Sequence, residues 1–340
     1  MKVIQLKTFG AVGQKAFEVA ETKDPKPGLD DVLIQVDAFG LNFADVMARK
    51  GIYNDCPPLP AVLGYESVGT VLEIGGNVKT VSVGDRVVAF TRFGSYAEKV
   101  VTPQLAVAKI PNEMSNGEAA AMATQYCTAW FSGFEAINVY PGEHVLIHAA
   151  AGGVGTALVQ LLKWKKAIVY GTASSAAKLE YLSSIGVDFP INYLENDFVE
   201  EIKKIRSGKR VDVIFDPIGG SNFKKSLKVL AYGGRIVPFG ASSREKKGFL
   251  SLLKVAFGFG FHSPATNIMK SQIWAGVNML RIADEKPELM NFCMNQVIDL
   301  YKKGICKPHV GGVFKVSEIG EAHDFLESRK SMGKLIVEWK

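Results

Sequence analysis

Two kinds of hydrophobic spacing divide this chain. Up to about residue 115, apolar and polar positions alternate in short runs. DVLIQVDAFGL (31–41), GTVLEIGGNV (69–78) and GDRVVAF (84–90) predict strands separated by glycine turns. DPKPG (24–28) predicts a turn, and only NFADVMARKG (42–51) has a short helical period. At NGEAAAMATQYCTAWFSGFEA (116–136) the pattern changes: Asn116 is placed to cap a helix, Glu118 falls in its first turn, and alanine dominates the next turns. Beyond it, apolar runs alternate with amphipathic segments: VLIHA, VGTALVQLLKWKK, AIVYGTA, SAAKLEYLSSIG, FPINY, FVEEIKKI, VDVIFDPIGG, NFKKSLKVLAYGG and RIVPFG. Such alternation predicts βαβ units and a parallel sheet covered on both faces. Residues 241–280 are less regular and end in QIWAGVNM, the predicted last strand of that sheet. PELMNFCMNQVIDLYKKG and SEIGEAHDFLESRK predict helices, and VGGVF and KLIVEW predict strands that can rejoin the first domain. The expected organisation is α/β. A discontinuous β-rich domain takes residues 1–120 and 285–340, and a doubly wound parallel-sheet domain takes 121–284.

Composition narrows the class. A chain of 340 residues with 47% apolar and 22% charged residues is an ordinary soluble globular protein, long enough for two domains. Cys56, Cys127, Cys293 and Cys306 are scattered with no C-x-x-C, which argues against a disulfide framework or zinc cluster and for a reducing, cytoplasmic location. MKVIQLKTFG is too short and too interrupted by lysine for a signal peptide. The formal charge of +6 suits anionic ligands, but basic and acidic residues are interleaved and no basic–aromatic motif points to nucleic acid. No apolar run approaches the roughly 20 residues that span a bilayer. The nearest, GFLSLLKVAFGFGF (248–261), is short and carries Lys254. It reads as ordinary packing in an extended arm at least as well as it reads as a substrate lid or dimer surface or as a peripheral amphipathic membrane contact, with Gly258 and Gly260 interrupting any helix.

The chemistry centres on AAAGGVG (149–155), between the apolar run HVLI and the helix pattern TALVQLLKWKK. Set on the dinucleotide fingerprint G-x-G-x-x-G, Ala150, Gly152 and Gly155 take the three glycine positions. Alanine is a small compromise at the first, which makes the turn. Glycine stands at both stricter positions, where backbone meets pyrophosphate and helix meets strand. Gly152, Gly153, Val154 and Gly155 are therefore expected to carry the pyrophosphate. Val154, Ala157, Leu158, Leu161 and Leu162 are expected to pack the helix down with its N-terminus open to an anion. About 20 residues further on, an NAD site presents a carboxylate to the ribose. Here GTASSAAK (171–178) has none; Ser174, Ser175 and Lys178 suit a 2′-phosphate, and the expected cofactor is NADPH.

GYESVGTV (64–71), GDRVV (84–88), AAAGGVG and DPIGG (216–220) resemble the medium-chain dehydrogenase/reductase superfamily across essentially the whole chain. LNFADVMARKGIY (41–53) and PPLP (57–60) resemble its zinc-free quinone oxidoreductases, and GTASS, FDPIGG and KPHV (307–310) the branch with the vesicle amine transport protein homologues. The resemblance implies a GroES-like catalytic domain, a Rossmann domain and a homodimer formed through the last Rossmann strand. Zinc-dependent members place a cysteine, a Gly-His-Glu and a second cysteine where this chain has Asn42, Gly64-Tyr65-Glu66 and the neighbourhood of Thr124. That set is not one that holds zinc. His148 is expected to be a satisfied core histidine.

The resemblance also implies site residues. Asn42 approaches the nicotinamide or substrate carbonyl, Asp45 and Tyr53 line the same cleft, and Tyr65 faces it. As structural alternatives, Asn42 caps the short helix and Asp45 pairs with Arg49. Tyr126 and Thr128 pass beneath the nicotinamide, Tyr193 flanks the adenine end, Phe239 and Gly240 end a strand at the ligand, and Lys334 contacts the cofactor. Cys127 is expected to pack rather than react. Without zinc to stabilise an alkoxide, the expected task is hydride delivery from NADPH to an already electrophilic acceptor, a quinone or activated carbonyl. The alternatives are a 2-alkenal or enone double-bond reductase, and a weakly catalytic cofactor- or lipid-binding adaptor.

Overall fold

A computed structural model describes residues 1–11, 13–243, 257–260 and 263–339. The chain divides into two compact units, Met1–Cys127 with Met279–Lys340, and Thr128–Asn278. The expected borders, after 120 and after 284, fall seven residues before the first observed border and six after the second. The first falls inside a helical stretch that begins at Asn116, so the sequence changes character before the chain changes partners.

The main sheet of the first unit runs in the order Val310–Lys315, Lys334–Glu338, Asp31–Leu41, Glu66–Ile74, Arg86–Phe90, Val107–Lys109, and Lys99–Pro103 also pairs with Asp31–Leu41. The C-terminal strand lies antiparallel to Asp31–Leu41, with Leu335 opposite Leu41 and Ile336 opposite Gly40. The two chain ends thus build one domain. Val32, Ile34 and Val36 are buried with Val71, Val87, Ala89, Val100 and Val107 in its core. A second, three-stranded sheet holds Phe17–Glu21, Lys2–Leu6 and Ala61–Val62.

The helix at Asn116 is capped by Ser115, not by Asn116. Ser115 has extended backbone and its hydroxyl accepts from Glu118 N, while the Glu118 carboxylate accepts from Ser115 N at 2.9 Å. Asn116 is already the first helical residue, and its Oδ1 accepts from Arg86 Nη2 at 2.8 Å. The same helical stretch widens into π-type turns at Met122–Tyr126 and Phe131–Glu135.

The second unit is a six-stranded sheet in the order Phe189–Asn192, Ile168–Ala173, His144–Ile147, Val211–Asp216, Leu230–Pro238, Ile273–Trp274. Every pairing is parallel. This is the doubly wound order, and it reverses at His144–Ile147, where such sheets hold ligands beyond the carboxyl ends of their strands. The expected last strand is only Ile273–Trp274. Most of 248–261 lies outside the described residues. Among the described residues no helix is long and apolar enough to cross a membrane.

Candidate active site

In the second unit the strand His144–Ile147 leads through Ala149–Gly152 into the helix Gly153–Trp164. The left-handed turn residue is Ala149, with φ of 51°, and not Ala150 as the fingerprint spacing suggests. Ala150 is wholly buried and donates its N–H to Thr172 O at 3.1 Å. Such backbone costs an alanine on the order of 1–2 kcal/mol. Gly155 is required by space, since a Cβ there would lie 2.6 Å from Ala150 Cα. Thr156 is the first residue to bond back along the helix, to Gly152 O at 2.8 Å, and Gly152 has no side chain to cap with. The N–H groups of Gly153, Val154 and Gly155 therefore have no intrahelical acceptor. Ala157, Leu158, Leu161 and Leu162 anchor the helix as expected, while Val154 is only partly buried at its open end.

One strand along, Ile168–Ala173 delivers Ser174 and Ser175. Ser175 caps the helix Ala176–Ser184, its hydroxyl accepting from Lys178 N at 3.4 Å. Ser174 and Lys178 are half-buried, and burial lowers the Lys178 ammonium from its ordinary value. Asn192 is registered beside Ala173, and Tyr193 donates its N–H to Ala173 O at 3.1 Å. Ser174 and Tyr193 thus follow adjacent strand ends, and Lys178 lies in the first turn of the helix that begins at Ala176. On the other side, Phe239 N bonds Asp216 O at 3.1 Å, and a Cβ on Gly240 would sit 2.6 Å from Pro217 O. The buried Asp216 carboxylate fixes the DPIGG loop by accepting from Ile218 N at 2.8 Å and Gly219 N at 3.1 Å. His148 is buried between Thr172 Oγ1 at 3.2 Å and Ser226 Oγ at 2.9 Å, and burial lowers its pKa. It is a satisfied core histidine. Thr128, in this unit, is buried.

In the first unit, side chains from three chain segments meet over Gly40. The Lys334 ammonium has three acceptors: Glu66 Oε1 in an ion pair, Asn42 Oδ1 at 3.1 Å and Leu41 O at 3.2 Å. Asn42 Nδ2 donates to the same Glu66 oxygen at 2.8 Å. Glu66 and Lys334 are both 0% exposed, and a Cβ on Gly40 would lie 2.6 Å from Lys334 Nζ. Only glycine lets this pair cross the central strand. Lys334, expected at the cofactor, is instead sealed inside its own domain, with all three ammonium donors engaged. Asn42 stands at the N-cap of Phe43–Arg49, yet its amide is directed to Glu66 and Lys334 rather than to the helix.

Asp45 does not line an open surface. It is wholly buried, with Oδ2 accepting from Asn42 N at 2.8 Å and Oδ1 from Gly64 N at 3.2 Å. Burial raises its pKa to about 7, and the Glu66 carboxylate adds to the rise, against those two N–H bonds and Lys334. Nor does it pair with Arg49, whose guanidinium bonds Glu327 and Ala11 O. Tyr53 is half-buried and Tyr65 only 3% exposed, with ring centroids 6.2 Å apart. Tyr126 and Cys127 are buried, and burial pushes the Cys127 thiol well up, which suits packing and not nucleophilic attack.

Zinc does not fit these residues. Asn42 and Tyr65 are neutral; of the two carboxylates beside them, Asp45 is taken up by two backbone N–H groups, and Glu66 already holds a buried ammonium that a metal ion would have to displace. Among the described residues no group of three His, Cys, Asp or Glu side chains could hold a metal. In the sequence Glu66 stands alone and points to no site; its role shows only with Lys334 in place. The available signal is Gly40, a glycine inside a strand of bulky residues, which marks close approach.

Residues 28–112 match the family model for the alcohol dehydrogenase GroES-like domain, and residues 153–290 that for zinc-binding dehydrogenase. The chain is 35% identical over 341 residues to the human (Homo sapiens) synaptic vesicle membrane protein VAT-1 homolog, covering 99% of this chain and 86% of that protein. It is 32% identical to quinone oxidoreductase-like protein 2 of Mus musculus, over 93% of this chain and 87% of the relative. The crystal structure of Escherichia coli quinone oxidoreductase complexed with NADPH superposes with a TM-score of 0.86 at 28% identity, covering 99% of this chain and 100% of that one.

Proposed function

The chain belongs to the medium-chain dehydrogenase/reductase superfamily, alongside VAT-1 homologues and quinone oxidoreductase-like proteins, and we propose that it is an NADPH-dependent, zinc-independent quinone reductase. The observation that carries this is the acid-free group of Ser174, Lys178 and Tyr193 at adjacent strand ends, beside a helix whose N-terminus only glycine can close. A carboxylate there would repel a 2′-phosphate; an ammonium and a hydroxyl attract it.

When bound, NADPH supplies a hydride, two electrons with one proton, to a quinone or similarly activated acceptor, and a second proton comes from solvent. The N–H groups of Gly153, Val154 and Gly155 would hold the pyrophosphate, with Gly152 leaving room for it. Ser174 and Lys178 would hold the 2′-phosphate, and Tyr193 would flank the adenine. Phe239 and Gly240 would border the cofactor at their strand end, with Tyr126 and Thr128 serving the nicotinamide. Asn42, fixed by Glu66 and Lys334, would orient the acceptor with Tyr53 and Tyr65. Asp45 is a positioning residue, tying the backbone of Asn42 to that of Gly64. A cytoplasmic location and a homodimer formed through the edge strand Ile273–Trp274 complete the proposal.

The test is NADPH oxidation against a panel of benzoquinones, naphthoquinones, 2-alkenals and enones. Turnover of quinones supports the proposal. Turnover of 2-alkenals without quinones replaces it with a double-bond reductase. NADPH binding with no turnover replaces it with a cofactor-binding adaptor. Liposome flotation is then the way to look for lipid.

A further inference from the structure

Next to Glu66 in sequence, Tyr65 carries a polar atom that the network around Lys334 does not reach. Tyr65 Oη is buried, and among the described residues no hydrogen bond of normal length and angle reaches it. The Tyr53 hydroxyl is close enough to help hold the Tyr65 proton, but the rings meet edge-on, at 77°, and no such bond joins them. A buried hydroxyl left unpaired costs about 1–3 kcal/mol. In a native structure it calls for a partner.

Everything around Tyr65 holds it still. Its carbonyl accepts from Thr91 N at 2.7 Å. The preceding Gly64 has a φ of 96°, donates its N–H to Asp45 and accepts from Thr91 Oγ1 at 3.2 Å. Phe93 packs on the Tyr65 ring with centroids 5.0 Å apart, and lies 6.4 Å from Tyr53. Phe93 itself has a φ of 66°. A bulky residue in left-handed backbone is strained by about 1–2 kcal/mol, and strain of this kind collects at ligand sites. The residue with this strained backbone is the one whose ring braces Tyr65.

We propose that Tyr65 Oη is the hydrogen-bond donor to a carbonyl oxygen of a flat, conjugated ring acceptor, braced by Phe93 and covered by the half-buried Tyr53. This rests on the reductase reading and specifies its substrate class: a quinone or cyclic enone in preference to an open-chain alkene. Tyr53 must swing aside to admit the ring. Burial, and after it the Asp45 carboxylate, push the Tyr65 phenol far above its ordinary value, so the residue keeps its proton. It polarises the carbonyl oxygen, where negative charge gathers as hydride arrives, and leaves protonation to solvent.

The test is Tyr65→Phe, with duroquinone as probe because its fully substituted ring does not alkylate Cys56. Three quantities are read: duroquinone affinity by calorimetry with NADP⁺ present, where no hydride is available; kcat/KM with NADPH; and Tm. The expected result is duroquinone binding weakened at least fivefold, kcat/KM lowered ten- to a hundredfold, NADPH affinity unchanged within twofold, and a Tm that is equal or higher because the unpaired hydroxyl is gone. Unchanged duroquinone affinity overturns the proposal. So does a Tm that falls together with affinity, since that is the mark of a packing role. Wild-type protein that binds duroquinone through Tyr65 but never oxidises NADPH upholds this site while refuting the reductase reading.

Discussion

At the head of the helix Gly153–Trp164 the second unit builds its candidate site from backbone. It uses glycines without room for a Cβ, N–H groups without helical acceptors and the ends of neighbouring strands, and side chains such as Ser174, Lys178 and Tyr193 are added around that frame. Around Glu66 the first unit does the reverse. Side chains separated by 24, 268 and 292 positions converge on one carboxylate and one ammonium, with glycine only clearing a path. A backbone site tolerates change in any residue that keeps the turn. A buried charge network does not, because each member removed leaves another without its partner.

The largest expected effect comes from that asymmetry. Lys334→Met leaves Glu66 buried and unpaired, and should cost about 3–5 kcal/mol of stability in urea denaturation. Adding Glu66→Gln should recover most of the loss. If the double variant is no more stable than the single, the two residues do not act as one unit.

Next is a pH dependence. In the unfolded chain Asp45 titrates near 3.8, and in the fold near 7. The fold favours the protonated form, so the contribution of Asp45 to stability is full below the unfolded value and lost as pH rises through about 7. A shift of about three units corresponds to about 4 kcal/mol. Wild-type stability relative to Asp45→Asn should therefore fall by up to about 4 kcal/mol between pH 4 and 8. A flat or rising difference would show that the two backbone N–H bonds outweigh burial.

Effects at the second unit are smaller and act on binding. Lys178→Ala should weaken NADPH by about 1–3 kcal/mol in calorimetry and leave NADH nearly unchanged. Equal losses for both would remove Lys178 from the 2′-phosphate. Smallest is Ser175→Ala, which removes a helix cap and should cost about 1 kcal/mol of stability with NADPH affinity intact. Lost NADPH affinity there would mean that Ser175, and not Ser174, meets the ligand.

The same contrast decides what the sequence could tell. The strand, loop and helix around AAAGGVG are contiguous, so spacing alone reveals them, as does the missing acid in GTASSAAK. Spacing does not carry dihedral angles, which is why the left-handed residue falls at Ala149 rather than Ala150. Composition locates helices and not caps, so Asn116 reads as the cap although Ser115 is the residue that makes it. In the first unit almost nothing is local. Lys334 finds Glu66 only because the last strand registers beside Leu41, a pairing that no periodicity records. Asp45 reads as a cleft acid or as a partner for Arg49 until Gly64, from another segment, takes its second oxygen. Phe93 gives no sign of its backbone strain beyond the glycine next to it.

The central claim is that the strand end at Ser174 and Lys178 selects a phosphorylated ribose. Calorimetric titration of the wild-type protein with NADPH and with NADH tests it most directly. NADPH is expected to bind at least tenfold tighter. NADH binding equally well or better, or no heat with either, would contradict the claim.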